Sequence, residues 1–354
     1  MRLLSFLLGI SCSVALPAAE QVKVVILTTF ELGKDQGDDP GEFQFWVERE
    51  GLNREIPFAG ELKNTVAWPN SERRSYPLRA NGRGLYGLVT GTTSIQAAAT
   101  VLSLGFDSRF DFSKTYWIVA AIAGADPEDA SLGSAAWAHF VVNGDPAYEI
   151  DVREMPGDWQ TGIFPLGAQK PDEIPANAWP LAHALDPGLV DWAFRLTRDL
   201  HLPDDETMRA TRRRYRGFPN AQRPPFVLIG DSMASDRFWH GEKLNRWANH
   251  WTRLWTRDQG NFVMTNTDDA GIAGALLRLA SAGRADARRF LVLRTASNYS
   301  MPPPDGTTAY SSLRQDLVAY RQALESAFRV AGAVVHELLN NWERYRNRRP
   351  GELP

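Results

Sequence analysis

Three mainly apolar runs constrain the fold of this chain more than any other feature. They lie at residues 21–27, 116–123 and 289–295. None of them alternates apolar with polar residues, so each is typical of a parallel strand that is buried on both faces. Apolar residues at helical spacing occur between them, at residues 95–104 and 270–280. The sequence therefore predicts an α/β fold around a central sheet.

The stretch from residue 264 to residue 304 predicts the floor of a ligand pocket. Asp268 and Asp269 come at the start of the predicted helix 270–280, and Asn298 follows the strand 289–295. In α/β sheets, ligands collect beyond the carboxyl ends of strands. A carboxylate and an amide delivered there by adjacent elements suit a polar ligand. The alternative is that the two aspartates only cap the helix and that Asn298 only forms a turn.

The first nineteen residues are predicted to be a signal peptide. Arg2 supplies the positive charge, an apolar segment follows, and small residues end at Ala19. The only cysteine, Cys12, lies in this segment, so the mature chain cannot form a disulfide. Gly9 stands where a lipoprotein signal has a large aliphatic residue, which argues against lipid attachment at Cys12. We expect a periplasmic or secreted protein without membrane insertion.

Composition argues against several classes of partner. The formal net charge is −3, and the basic residues are dispersed apart from a cluster at residues 212–216. A nucleic acid is therefore not expected as a partner. His240 and His250 lack the companion ligands of a zinc site, and residues 37–42 lack the alternating ligands of a calcium loop. We expect neither a metal nor a cofactor.

Further candidate residues follow other predicted strands. Glu31 comes just after the first strand, where a catalytic group is well placed. Thr92 and Thr93 precede the helix 95–104, where hydroxyls and backbone N–H groups could hold an anion or a water molecule. Phe238 and Trp239 follow the fourth predicted strand, 225–229, and could sandwich a planar base.

Several sequence blocks, in this order, resemble one protein family. The chain is similar to the purine nucleoside permeases and, more distantly, to the nucleoside phosphorylase and nucleosidase superfamily. That resemblance implies a three-layer α/β/α fold with a central mixed sheet. It also implies a single domain over residues 20–354, with a loop-rich and helical insertion at about 143–222. The blocks are Ile26-Leu27-Thr28-Thr29-Phe30-Glu31, Thr90-Gly91-Thr92-Thr93, Ala123-Gly124-Ala125, Gly230-Asp231-Ser232 and Leu293-Arg294-Thr295-Ala296-Ser297-Asn298-Tyr299.

The resemblance also implies roles for individual residues. Asp268 stands where the superfamily has a glutamate that grips the ribose hydroxyls. Asn298 stands where the family has an aspartate or asparagine beside purine N7, and Gly124 matches the small-residue turn that passes under the base. Asp231 and Ser232 match a loop on the base side of the pocket.

Two positions bear on whether the second substrate is water or phosphate. Glu31 falls where the hydrolytic branch has its water-activating glutamate. Val89 falls where many phosphorylases have a phosphate-binding arginine. A buried phosphate without a cation would be costly, whereas water needs only a base. The resemblance therefore favours hydrolysis of purine nucleosides, with Glu31, Asp268 and Asn298 as catalytic residues.

Two alternatives stay open. Phosphorolysis is possible if Arg294, Arg237 or Arg83 reaches the pocket. The family's name suggests instead a periplasmic nucleoside-binding protein that serves a membrane transporter. The superfamily resemblance further implies a homo-oligomer, either a dimer or a hexamer.

Overall fold

The computed structural model describes residues 18–63, 75–313 and 318–352. The predicted signal peptide, residues 1–19, lies almost entirely outside the described residues and stays a prediction. Within the described ranges, no helix combines the length and the apolar character that crossing a bilayer requires.

Strands and helices are interspersed along the chain, as in an α/β protein. Strands β1 to β18 are Glu20–Gln21, Val24–Thr28, Arg54–Ile56, Leu62–Lys63, Ser75–Tyr76, Leu78–Ala80, Leu85–Val89, Phe110–Asp111, Tyr116–Ala125, Ala135–Trp137, Phe140–Asn143, Ala147–Glu149, Ile163–Pro165, Ala182–Ala184, Val227–Ile229, Asp231–Ala234, Phe262–Asn266 and Phe290–Tyr299. Helices α1 to α9 are Gln44–Arg49, Ser94–Gly105, Pro187–Thr197, Glu206–Arg212, Glu242–Thr256, Asp269–Ser281, Ala309–Leu313, Tyr320–Asn340 and Trp342–Tyr345.

Strand β9 is the centre of the main sheet. It pairs in parallel with β2 along its first half and with β18 along nearly its whole length. Near its end, Gly124 and Ala125 also pair with β17, in the antiparallel direction. The connected strands run in the order β14, β11, β16, β17, β9, β2, β7, β6, β3, and β18 joins β10 and β15 to β9. The sheet is therefore mixed, as the resemblance implied.

Helices cover both faces of this sheet, as adjacent side chains of β18 demonstrate. The Arg294 side chain reaches the aspartates at the start of α6, whereas the Thr295 hydroxyl donates to the carbonyl of Ala323 in α8. Successive side chains of a strand point to opposite faces. Helices α6 and α8 therefore lie on opposite sides, and the predicted three-layer arrangement is confirmed.

The long, strongly patterned elements match their sequence predictions, and one irregular stretch does not. The predicted helices at 95–104 and 270–280 are α2 and α6, and the apolar runs are β2, β9 and β18. The expectation of irregular loop from residue 148 to residue 187 is wrong in part, because β12, β13 and β14 begin or lie there. Strands of three residues are too short to give a periodic signal. The bounds of the inserted segment stay a prediction.

The contact between α2 and α6 depends on a glycine. A Cβ atom at Gly271 would lie 2.1 Å from the carbonyl oxygen of Ser94 and 2.7 Å from its Cα. These are backbone atoms, so they cannot move aside as a flexible side chain could. Gly271 therefore lets the start of α6 approach the start of α2, and both helix starts are brought to the same region of the molecule.

We expect Gly271→Ala to destabilise the protein by about 1 to 3 kcal/mol, the usual cost of overpacking a closely packed contact. Gly274→Ala, one turn further along α6, is the matched control. Its Cβ would meet only the flexible end of Arg278 at 3.3 Å. Alanine there should stabilise the helix by roughly 0.5 to 1 kcal/mol. Urea unfolding of both variants checks this, and equal effects would contradict the close approach.

Candidate active site

A cavity of about 400 Å³ lies at the carboxyl end of β2 and beside the C-terminal halves of β9 and β18. Its volume is within the usual range for sites that bind small molecules. Its wall combines carboxylates, threonines and aromatic rings. The lining residues are Thr29, Phe30, Glu42, Thr92, Thr93, Ile122, Ala123, Gly124, Asp236, Arg237, Phe238, Trp239, Thr265, Asn266, Thr267, Asp268, Arg294, Ser297 and Asn298.

A buried arginine forms the base of the cavity. The Nη2 atom of Arg294 lies 2.6 Å from a carboxylate oxygen of Asp268 and 2.6 Å from one of Asp269. Its Nε donates to Asp269, and its Nη1 donates to the hydroxyl of Thr29 and the carbonyl of Ile122. All five guanidinium N–H groups therefore have partners in the protein.

Asp268 lines the cavity and has one carboxylate oxygen without a partner among the described residues. Its Oδ2 accepts from Arg294 and from the Thr29 hydroxyl, whereas its buried Oδ1 has no partner among the described residues. Burial raises the pKa of Asp268, and the charge of Arg294 opposes that rise. An unsatisfied buried acceptor calls for a donor from a ligand. This arrangement suits the predicted role of Asp268 as an acceptor for sugar hydroxyls.

The alternative reading of the two aspartates as helix caps does not describe their contacts. Asp268 is the N-cap residue of α6, but its side chain makes no capping hydrogen bond. The cap is Asn266, whose Oδ1 accepts from the backbone N–H groups of Asp268 and Asp269. The aspartate carboxylates are thereby left to bind Arg294.

Ser232 supports this cluster and does not line the cavity. Its hydroxyl lies 2.5 Å from the Asp269 carboxylate and 2.6 Å from the amide nitrogen of Asn266. It is 1% exposed. The prediction of Ser232 as a substrate-binding residue is therefore corrected: it touches Asp269, which in turn binds Arg294.

Glu42 lines the cavity next to the arginine cluster. One carboxylate oxygen accepts from the backbone N–H of Thr29 at 2.6 Å, and the other accepts from the backbone N–H of Ile122 at 2.7 Å. Burial raises its pKa to about 7, against the lowering effect of the Arg294 charge. Glu42 is therefore a carboxylate that can take up and release a proton near neutral pH.

Glu31, the glutamate predicted to act in the pocket, lies outside the lining. Its two oxygens accept from the backbone N–H groups of Leu32, Gly41, Phe43 and Gln44. These contacts hold the start of α1 against the end of β2. Glu31 therefore does not line the cavity, and the prediction that placed it there is corrected.

Asn298 and Gly124 lie side by side in the cavity wall. They are register partners in β18 and β9. The Oδ1 of Asn298 accepts from the Ser297 hydroxyl at 2.9 Å, which directs the amide nitrogen away from that hydroxyl. A Cβ at Gly124 would lie 3.3 Å from this nitrogen and 3.0 Å from a methyl carbon of Thr265. The glycine thus keeps open the space beside the amide.

The remaining predicted wall residues lie in the cavity. Thr93 caps α2, and its hydroxyl accepts from the N–H of Gln96, while Thr92 precedes it. Phe238 is 65% exposed, whereas Trp239 is 8% exposed and packs against Trp247. The indole N–H of Trp239 has no partner among the described residues.

The position of Asp231 does not agree with the substrate-binding role predicted for it. It begins β16, at the opposite end of that strand from the cavity. Its carboxylate accepts from the backbone N–H groups of His139, Phe140 and Asn261. Asp231 therefore ties three chain segments together, and its prediction as a substrate-binding residue is corrected.

The three arginines considered as phosphate ligands are placed differently. Arg83 precedes β7, at the strand end away from the cavity, and pairs with Glu50 at 3.1 Å. Arg237 lines the cavity but forms an ion pair with Glu149. Arg294 is in the cavity with every donor engaged. Within the described residues, no group of His, Cys, Asp and Glu is arranged to hold a metal ion.

Sequence reasoning missed Glu42, Thr29 and Asn266. Thr29 and Asn266 follow or end apolar strands, so the rule that ligands collect at strand ends could have found them. Glu42 lies eleven residues beyond Glu31, at the end of a loop. The only sequence feature that could have indicated Glu42 is its position two residues before the start of α1.

We expect Arg294→Met to lower the free energy of unfolding by about 3 to 5 kcal/mol, because it leaves carboxylates buried without their cation. Arg153→Met is the matched control, since Arg153 is 84% exposed and its partner Asp151 is 40% exposed. An exposed pair contributes at most about 1 kcal/mol. Denaturant unfolding of both variants measures the difference. Similar losses would show that the buried cluster is not important for stability.

Comparisons with known proteins agree on family and fold. A family model described as purine nucleoside permease (NUP) matches residues 21–350. The purine nucleoside permease of Candida albicans is 27% identical over 261 residues, covering 73% of this chain and 64% of that protein. The match thus spans less than two thirds of this relative. A probable purine nucleoside permease of Schizosaccharomyces pombe is 24% identical, covering 72% of this chain and 76% of that protein.

Solved structures share the fold. The 5'-methylthioadenosine/S-adenosylhomocysteine nucleosidase of Helicobacter pylori is 14% identical with a TM-score of 0.53, covering 90% of this chain and 99% of that one. The futalosine hydrolase of Helicobacter pylori is 15% identical with a TM-score of 0.52, covering 90% and 98%. At these identities the likeness concerns the fold alone. From the extent of the family match, residues 21–350, the chain belongs to the purine nucleoside permease family.

Proposed function

We propose that this protein binds purine nucleosides and hydrolyses their N-glycosidic bond. The observation that carries the proposal is the meeting of three groups in one cavity: the Glu42 carboxylate, the free oxygen of Asp268 and the Asn298 amide. A base, a sugar acceptor and a donor for the leaving group are what this reaction requires. The family description and the nucleosidase-like fold support the same substrate class.

The proposed reaction separates the purine from an oxocarbenium-like sugar. The bond between the anomeric carbon and N9 breaks, and its electron pair goes to the base. Asn298 donates an N–H to N7 and so stabilises the negative charge that develops there. Asp268 accepts from the ribose hydroxyls. Water adds to the anomeric carbon as Glu42 takes its proton, and solvent supplies the proton that the departing base needs.

The charges of the cavity favour water over phosphate as the second substrate. Of the residues that line it, only Arg237 and Arg294 carry a permanent positive charge. Arg294 has all its donors engaged, and Arg237 is paired with Glu149. A phosphate dianion would be desolvated without a free cation, which is costly, whereas a water molecule meets a ready base.

The family description also names a transport role. A nucleoside-binding protein that serves a membrane transporter would use the same cavity, with Asp268 but without chemistry at Glu42. In the scheme we propose, the protein acts in the periplasm or outside the cell, as a homo-oligomer. Product analysis separates these functions.

The deciding experiment incubates the purified protein with inosine, adenosine and guanosine, with and without phosphate. Free base plus free ribose in phosphate-free buffer is the result we expect. Ribose 1-phosphate that forms only with phosphate would establish phosphorolysis instead. Binding of intact nucleoside without any product would establish the binding protein.

We expect Glu42→Gln to reduce kcat by about 10²- to 10⁴-fold, the usual contribution of a general base. Glu48→Gln is the matched control, because Glu48 is an exposed residue of α1 outside the cavity. It should leave kcat within about threefold of the wild type. Steady-state kinetics with the best nucleoside measure both variants, and retention of activity in Glu42→Gln would exclude the proposed base.

The pH dependence follows from the same glutamate. Its ionised form is the active one, and burial raises its pKa to about 7. The value of kcat/KM should therefore fall as the pH drops through about 7, by roughly tenfold per unit. Asp268, whose pKa is also raised, should steepen the fall at lower pH. A profile measured from pH 5 to pH 9 that rises toward acid would argue against base catalysis by Glu42.

A further inference from the structure

We propose that Asp236 determines the choice of second substrate by excluding phosphate from the cavity. This inference rests on the proposed function and names the residue that keeps the reaction hydrolytic. Asp236 lines the cavity beside the start of α2, and one of its carboxylate oxygens lies 2.7 Å from the backbone nitrogen of Ser94. Ser94 is the first residue of that helix.

The start of α2 would otherwise attract an anion. A helix N-terminus carries unpaired N–H groups and the positive end of the helix dipole. At α2, Thr93 accepts from the N–H of Gln96, and Asp236 accepts from the N–H of Ser94. The protein has therefore placed its own carboxylate where the cavity would best receive a phosphate.

Contacts of the backbone at Asp236 and of the next side chain hold Asp236 in this position. Its backbone N–H lies 3.0 Å from both carboxylate oxygens of Asp145. The next residue, Arg237, is tied to Glu149 by an ion pair. This anchoring fixes the Asp236 carboxylate at the start of α2. A phosphate entering there would meet its negative charge.

Independent features of the same cavity show that it is built for a ligand. The Oδ1 of Asp268 is buried and unpartnered, and Asp268 is 1% exposed. The indole N–H of Trp239 is also buried and unpartnered, with Trp239 8% exposed. Buried polar groups without partners call for partners from a bound molecule. One acceptor and one donor suit a neutral, hydroxyl-bearing ligand such as a nucleoside, which leaves the start of α2 as the place for its co-substrate.

The test uses inorganic phosphate as the probe. We expect phosphate to bind Asp236→Ala at least tenfold more tightly than the wild type in isothermal titration calorimetry. Asp236→Asn keeps an oxygen for the N–H of Ser94 while removing the charge, and it should also bind phosphate more tightly. Phosphate should inhibit hydrolysis by both variants or divert part of the product to ribose 1-phosphate.

Asp186→Ala is the matched control. Asp186 caps α3, an eleven-residue helix, and accepts from the N–H of Leu189 away from the cavity. Its removal should leave phosphate affinity unchanged. Thermal melting and inosine binding establish that each variant is folded. If Asp236→Ala is not folded, the phosphate affinity of Asp236→Asn decides the test.

The outcomes separate this inference from the proposed function. If the wild type releases free ribose and neither Asp236 variant gains phosphate affinity, the role of Asp236 is overturned while hydrolysis stands. If the wild type itself forms ribose 1-phosphate, the proposed function fails, and with it the exclusion of phosphate by Asp236.

Discussion

The rest of the site depends on the buried ion cluster around Arg294. Two aspartates from the start of α6 reach a guanidinium from the middle of β18, so the cluster joins a helix to the sheet beneath it. The third nearby carboxylate, Glu42, comes from the start of α1 and feels the same positive charge. Burial is the main cause of the raised pKa values of Asp268 and Glu42, and the charge of Arg294 opposes the rise in both.

The sheet supplies the geometry that brings the other groups together. Strand β9 is flanked by β2 at its start and by β17 at its end, while β18 runs beside it. Gly124 lies where these strands diverge, between the side chains of Thr265 and Asn298. The divergence opens a space in an otherwise closely packed sheet. Because Gly124 has no side chain, that space remains available beside the Asn298 amide.

The fold and about half of the site could be predicted from the sequence, because those parts belong to long, strongly patterned elements. Asn298 and Gly124 lie near the carboxyl ends of the long apolar strands β18 and β9, and Asp268 begins a strongly patterned helix, so the strand-end rule and the family motifs agree on them. Asp231 and Ser232 belong to a short strand, β16, whose direction and register no local pattern reveals. Asp231 therefore lies at the end of β16 that is away from the cavity, and Ser232 lies behind the cluster around Arg294. Glu31 was predicted because it is next to the strand in sequence, whereas the chain returns to that place at Glu42, eleven residues later.

Glu31 and Glu42 each bind the backbone on the other side of the loop that separates them. Glu31, before the loop, accepts from N–H groups after it, and Glu42, after the loop, accepts from Thr29 before it. Both ends of the segment 32–40 are thus fixed by side chains outside it. Closing a longer loop between fixed ends adds little entropic cost. The length and composition of this segment can therefore change while the Glu42 carboxylate stays in place.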